Sequence, residues 1–307
     1  MRRINRILLA IHQAQPGRVE LRASLLGPQL DIGSFDVIAV KRACTGMRGA
    51  TTTFSHVQVD GNRLSALVDG QPRLLGAGVF PDELENVWTV QRGNPADVIA
   101  GTAERIGADL TLLAGAGRPA LPQWVRPARN ADVIRLCRSP VLLVHTEPRD
   151  VYRSVVVATD FSRASLSAAR TAALLAPAAR FVFVHACPLP GELMMMRELE
   201  LPVRAIRGCQ DHSAAAVRRR LDEFVDLFLQ DLPAGEREVH VGRPCHVIEE
   251  CAQRHDADLV VLGRGATHPG ARLSVSKLMP KLLDEGRRDL LVGPDHFGDD
   301  TDRRLAA

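Results

Sequence analysis

The chain is written twice, and this repeat constrains its fold more than any other feature. Gly93, Pro95, Ile99, Ala103, Ala108, Asp109 and Leu110 return as Gly242, Pro244, Ile248, Ala252, Ala257, Asp258 and Leu259, all at one offset of about 149 residues. An apolar opening run repeats as well, Ile7-Leu8-Leu9-Ala10-Ile11 against Val155-Val156-Val157-Ala158-Thr159. A closing run, Val141-Leu142-Leu143, returns as Leu290-Leu291-Val292. A period of this length is the size of a domain, so the chain reads as two like domains in tandem. The expected boundaries are 1–147 for the first, 148–153 for a linker holding Pro148, 154–295 for the second and 296–307 for a tail.

Within the second copy, Val155 to Thr159 is a continuous apolar run, as expected of a parallel strand covered on both faces. Ser162 is placed to cap a helix reaching Leu175, with Pro177 marking its end. Phe181 to Val184 gives another buried strand, and Val217, Leu221, Phe224, Val225 and Phe228 recur at helical spacing. Glu238 to Val241, a helix after Pro244 that buries Val247, Ile248, Cys251 and Ala252, Leu259 to Leu262 and Leu290 to Val292 complete the alternation. Strands alternating with helices predict an α/β fold, here two tandem doubly wound, Rossmann-like parallel-sheet domains. The first copy departs in the middle, where Phe54 to Val68 alternates around Asp60-Gly61-Asn62 and predicts a hairpin. Residues 114–130, with Trp124 among Gly, Pro and Arg, predict an irregular loop.

The hydrophobic content of 46% is enough to fill two cores, which argues against disorder. Net charge is only +3, and the run Arg218-Arg219-Arg220 lies on a predicted helix as a solvated face; with few aromatics beside it, no nucleic-acid partner is expected. No apolar stretch has the roughly 20 residues needed to span a bilayer, and Met1 to Arg6 leads straight into a strand, so no membrane is expected and the cytoplasm is the expected location. The six cysteines form no CxxC pair and should be reduced thiols. His240, Cys245, His246, Cys251 and His255 concentrate in one stretch, but without the ligand spacing of structural zinc sites, so no metal is expected.

The strand ending Val-Ala-Thr-Asp-Phe-Ser, the stretch Gly242-x-Pro244-x3-Ile248-x3-Ala252, the run Ala257-Asp258-Leu259-Val260-Val261-Leu262-Gly263 and the final Leu-Leu-Val together resemble the universal stress protein (UspA) superfamily. Two copies in one chain are most similar to its tandem, UspE-like branch. The resemblance implies an adenine nucleotide alpha hydrolase-like fold, a cytoplasmic protein promoting survival under stress, and pairing of the two domains within the chain, with a homodimer and unidentified protein partners as further possibilities. Some members bind ATP and others do not.

In ATP-binding members an acidic residue ends the first strand, and G-x2-G-x9-G-[ST] follows the fourth. Glycine admits phosphate close to the backbone, and N–H groups at a helix start attract the anion. In the second copy, Thr159 and Asp160 stand at the strand end, Gly263 matches the first glycine, and Ser274-Val275-Ser276 matches the hydroxyl-bearing close. Gly265 stands one position short of the second glycine, Leu273 replaces the third, and the span is about three residues short. Thr159, Asp160, Gly263, Gly265, Ser274 and Ser276 are therefore the candidate nucleotide site, with ATP in the second domain as the only cofactor considered. In the first copy, His12 and Ala114 stand where Asp160 and Gly263 would be, so that domain is expected to be nucleotide-free.

No Walker loop, GxSxG or HExxH appears, so no catalytic residue is expected and the chain is not read as an enzyme. The resulting reading is a non-catalytic stress-response and regulatory module. Two alternatives stay open: an ATP-binding stress sensor, and a platform for apolar ligands or partner proteins around Met194-Met195-Met196.

Overall fold

The computed structural model describes residues 3–12, 18–32, 34–41, 50–60, 63–68, 71–75, 91–93, 95–115, 130–187, 203–228, 235–264 and 287–294. Contacts divide the chain into two compact units, one comprising Met1–Val151 with Leu283–Pro294, the other Tyr152–Leu282 with Asp295–Ala307.

In the first unit the strands are β1 (Ile7–His12), β2 (Ser34–Lys41), β3 (Ala50–Asp60), β4 (Arg63–Val68), β5 (Gln71–Leu75), β6 (Gln91–Gly93), β7 (Leu110–Ala114), β8 (Val141–Val144) and β13 (Asp289–Gly293), β9 to β12 lying in the other unit. The helices are α1 (Arg18–Leu30), α2 (Pro95–Ile106) and α3 (Asn130–Leu136). The sheet runs β13-β8-β7-β1-β2-β3-β4-β5, with β6 on β3. Its middle is parallel, with Leu9 opposite both Val37 and Leu112, and Leu112 opposite Leu142. Ile7, Leu8, Leu9, Leu110, Leu112 and Leu142 are all buried, the signature of parallel strands covered on both faces. Beyond β2 the sheet turns antiparallel, so the parallel centre of this unit carries an antiparallel extension. Between β3 and β4 the cause is local: only two residues separate Asp60 from its partner Arg63, too few for the crossover that parallel pairing requires. The hairpin read from Phe54 to Val68 is thus present, extended by β5. Residues 116–129 of the expected loop lie outside the described residues.

The run Leu290 to Val292, read as the last strand of the second copy, forms β13 and pairs antiparallel with β8, Leu291 opposite Leu142. It carries Asp289, whose Oδ2 lies 3.1 Å from the Arg22 guanidinium of α1; the two side chains are 0% and 4% exposed. Asp289 Oδ1 accepts from the backbone N–H of His145 and Thr146 and from the Thr146 hydroxyl.

The second unit contains β9 (Ser154–Ala158), α4 (Arg163–Leu175), β10 (Arg180–Cys187), α5 (Val203–Phe228), β11 (Gly235–Val241), α6 (Pro244–Arg254) and β12 (Leu259–Gly263). Its strand order is β11-β10-β9-β12 and every pairing is parallel. Val156 faces Val182 on one side and Val260 on the other. In α6 the buried residues are Val247, Ile248, Cys251 and Ala252, the four with apolar helical spacing. Arg237 of β11 reaches Asp222 and Asp226 of α5, at 3.2 and 2.5 Å, which fixes that helix along its own strand edge.

The repeated aspartate has the same task in both units. Asp109 accepts from the backbone N–H of Asn5 and Arg6, just before β1. Asp258 accepts from Arg153 and Ser154 N–H, at the start of β9. Each carboxylate thereby locks the first strand of its unit to the strand that follows it, β7 or β12, and explains why an aspartate returns at this place.

Candidate functional site

The site predicted from sequence lies at the C-terminal end of β9, where an open parallel sheet offers its ligand crevice. Ser162 sits in extended conformation and its hydroxyl accepts from the Ser165 N–H, capping α4 as expected. Asp160 Oδ1 accepts from the Ser162 N–H at 3.0 Å. Thr159, fully buried, accepts from Phe161 N–H through Oγ1 and shares a hydrogen bond with the Ser165 hydroxyl. These polar side chains therefore serve the turn that joins β9 to α4.

Gly263 closes the same end of β12. A Cβ at this position would run into the backbone nitrogen of Ser165 and the carbonyl carbon of Ala164. Its missing side chain is what allows the start of α4 to approach the strand. The structure thus brings Thr159, Asp160 and Gly263 to the same end of the sheet, beside the start of α4. Gly265, Ser274 and Ser276 lie outside the described residues, as do Leu273 and Met194 to Met196.

Four side chains that the sequence did not assign to the site, Phe161, His185, Phe224 and Arg220, cluster beside this strand end. Phe161 has φ of 63°, a left-handed conformation costly for an aromatic residue. Its ring stacks on His185 at 4.5 Å, meets the edge of Phe224 at 5.7 Å and carries the Arg220 guanidinium 4.7 Å above its centre. Arg220, read as part of a solvated basic face, is thus tied to the crevice. His185 Nδ1 lies 2.7 Å from the Thr159 carbonyl, so neutral His185 carries its proton on Nδ1.

The corresponding end of the first unit is closed differently. Gly115 lies so near the His145 ring that any Cβ would overlap it, and His145 is buried with no partner for either ring nitrogen among the described residues. The side chain of His12 lies outside the described ones.

Burial lowers the pKa of both histidines. At His145 the Asp289 charge opposes the effect and Arg18 adds to it; at His185 the bond to Thr159 and the Asp160 charge oppose it. The unfolded forms take up protons near pH about 6.5 while the folded forms resist. Stability is therefore full above that pH and falls as the pH drops through it. The urea midpoint is expected to decline from pH about 7.5 to about 5.5, above the carboxylate range, and less so in His145→Gln and His185→Gln. A flat midpoint across that window would contradict two buried neutral imidazoles.

A second polar cluster lies on β11 and α6. Glu238 accepts from His255 Nε2 through Oε1 at 2.7 Å, and from His240 Nε2 and Arg254 through Oε2 at 2.6 and 2.7 Å. Burial pushes its carboxyl up, but these three partners outweigh burial and hold it down at about 2. Burial, with the Glu238 charge beside it, pushes the Cys251 thiol up to about 12. The sequence displays His240, Cys251 and His255; Glu238 escaped because its role depends on strand alternation beside a particular helix.

A parallel α/β sheet whose strand ends meet a capped helix defines the class of doubly wound α/β domains. Residues 151–279 match the model of the universal stress protein family. Among solved structures, the chain is similar to a universal stress protein of Archaeoglobus fulgidus DSM 4304, with 11% identity, TM-score 0.54, and coverage of 95% of this chain and 99% of that one. A protein of Pseudomonas aeruginosa UCBPP-PA14 assigned to the same family gives 17% identity, TM-score 0.54, and coverage of 95% and 94%. At such identities the likeness is one of fold. No curated protein matches the chain. Among the described residues no helix is long and apolar enough to cross a membrane.

Proposed function

We propose that the chain is a tandem universal stress protein, UspE-like, with domains at 1–147 and 154–295, acting as a non-catalytic stress-response module in the cytoplasm. The observation that carries this reading is the use of the strand-end polar groups. Asp160, Ser162 and Thr159 all bond to backbone or hydroxyl groups of their own turn, and none is set against a partner as nucleophile and base. Glycine at 263 is required by the approach of α4, independently of any phosphate.

A second reading, an ATP-binding sensor, is favoured by one feature. The crevice holds a helix start, Gly263 and the Arg220 cation stacked over Phe161, a set of groups suited to an anion and a flat ring. Thr159, Asp160, Gly263, Gly265, Ser274 and Ser276 would supply that site. Calorimetric titration of ATP with Mg²⁺ into nucleotide-stripped protein separates the two readings. No heat up to millimolar ATP is the expected result. Binding at micromolar strength that disappears in Asp160→Ala would replace the first reading with the second.

A further inference from the structure

The two periodicities of the second unit bring metal-ligand chemistry to one place away from the strand-end crevice. Glu238 and His240 are two apart on β11, hence on one face of the sheet, and Cys251 and His255 are four apart along α6 and its C-cap, hence on one side of that helix. One carboxylate oxygen of Glu238, the Cys251 sulfur and one His255 ring nitrogen all lie within 4.8 Å of one another. Cys251 is buried, and the His255 and Glu238 side chains are only 10% and 17% exposed, so the donors face one another more than they face water.

We propose that Glu238, Cys251 and His255 form a zinc-binding site. One thiolate, one imidazole and one carboxylate are a donor set that suits zinc and does not suit magnesium or calcium. Thiolate and carboxylate together neutralise the ion. The Arg254 guanidinium, half exposed and 2.7 Å from Glu238, supplies a positive charge at the carboxylate. Its exposure lets it swing into solvent when the ion enters. Three protein ligands leave a fourth position of the tetrahedron for water or substrate. His240 Nε2, 2.6 Å from Glu238 Oε2, orients the ligand carboxylate. The His255 carbonyl accepts from the Ser154 hydroxyl at 2.8 Å, which anchors the ligand's backbone to β9.

The test is Co²⁺ titration of the full-length protein, kept reduced and freed of metal with a chelator. An absorption band from thiolate-to-cobalt charge transfer, saturating at equimolar Co²⁺ and bleached by Zn²⁺, is expected. Cys251→Ser should abolish that band. His255→Gln should weaken Co²⁺ binding strongly, and His240→Gln by about 10- to 100-fold through the carboxylate it orients. Circular dichroism checks that each variant is folded; if Cys251→Ser is not, His255→Gln and Glu238→Gln decide the matter by whether the cobalt affinity falls. Absence of the band in the wild-type chain would overturn the proposal. So would a band that persists in folded Cys251→Ser, since it would belong to other thiols such as Cys187 or Cys245.

Discussion

Asp289→Ala is expected to remove about 3–5 kcal/mol from the urea unfolding free energy, a large share of what a domain of ordinary size possesses. The substitution removes the carboxylate that lies 3.1 Å from the Arg22 guanidinium, which is 4% exposed. It also removes the acceptor for the His145 and Thr146 N–H groups and for the Thr146 hydroxyl. The two contributions can be separated. Arg22→Met combined with Asp289→Leu eliminates the buried charge and should recover part of the loss, while the orphaned N–H groups keep it from full recovery. A loss under about 1 kcal/mol in Asp289→Ala would mean that water reaches the pair and that the burial described here is wrong.

Gly263→Ala should cost roughly 1–3 kcal/mol, because the added Cβ meets main chain of α4 that cannot rotate aside. The start of that helix would have to withdraw, stretching the bond between the Thr159 and Ser165 hydroxyls. Gly101→Ala provides the control. It lies on α2 with nothing within 4 Å of its Cβ position, and should be neutral or stabilising by about 0.5–1 kcal/mol, as glycine to alanine is inside a helix. Equal thermal midpoints for Gly263→Ala and wild type would show that α4 does not press on β12.

Gly263 also shows how one residue can answer two different demands. The motif presents it as a phosphate glycine, yet close approach of two backbones demands glycine just as firmly, and a pattern of letters cannot separate the two causes. By contrast, the repeated Asp109 and Asp258 were legible as punctuation, and their geometry gives the reason: each binds two N–H groups at the entrance to a first strand. The hairpin at β3 and β4 was legible because its signal is local. The partner of β13 was not, since the apolar run Leu290 to Val292 would suit any buried strand edge, and the choice of β8 is made by residues some 150 positions away. Phe161 was invisible for another reason. The turn sequence admits a left-handed residue, but the stack of His185, Phe224 and Arg220 that holds it there comes from three places on two further elements.

The place of β13 has a consequence for biosynthesis. Residues 152–282 form an insertion within the first unit, which reaches completion only when 283–294 arrive. At ordinary translation speeds roughly ten seconds or more separate the emergence of β8 from that of β13. Through that interval the nascent first unit holds an unpaired edge at β8 and the Arg22 cation awaiting Asp289. The first unit, although its synthesis begins first, closes its sheet only after the whole of the inserted segment has been made.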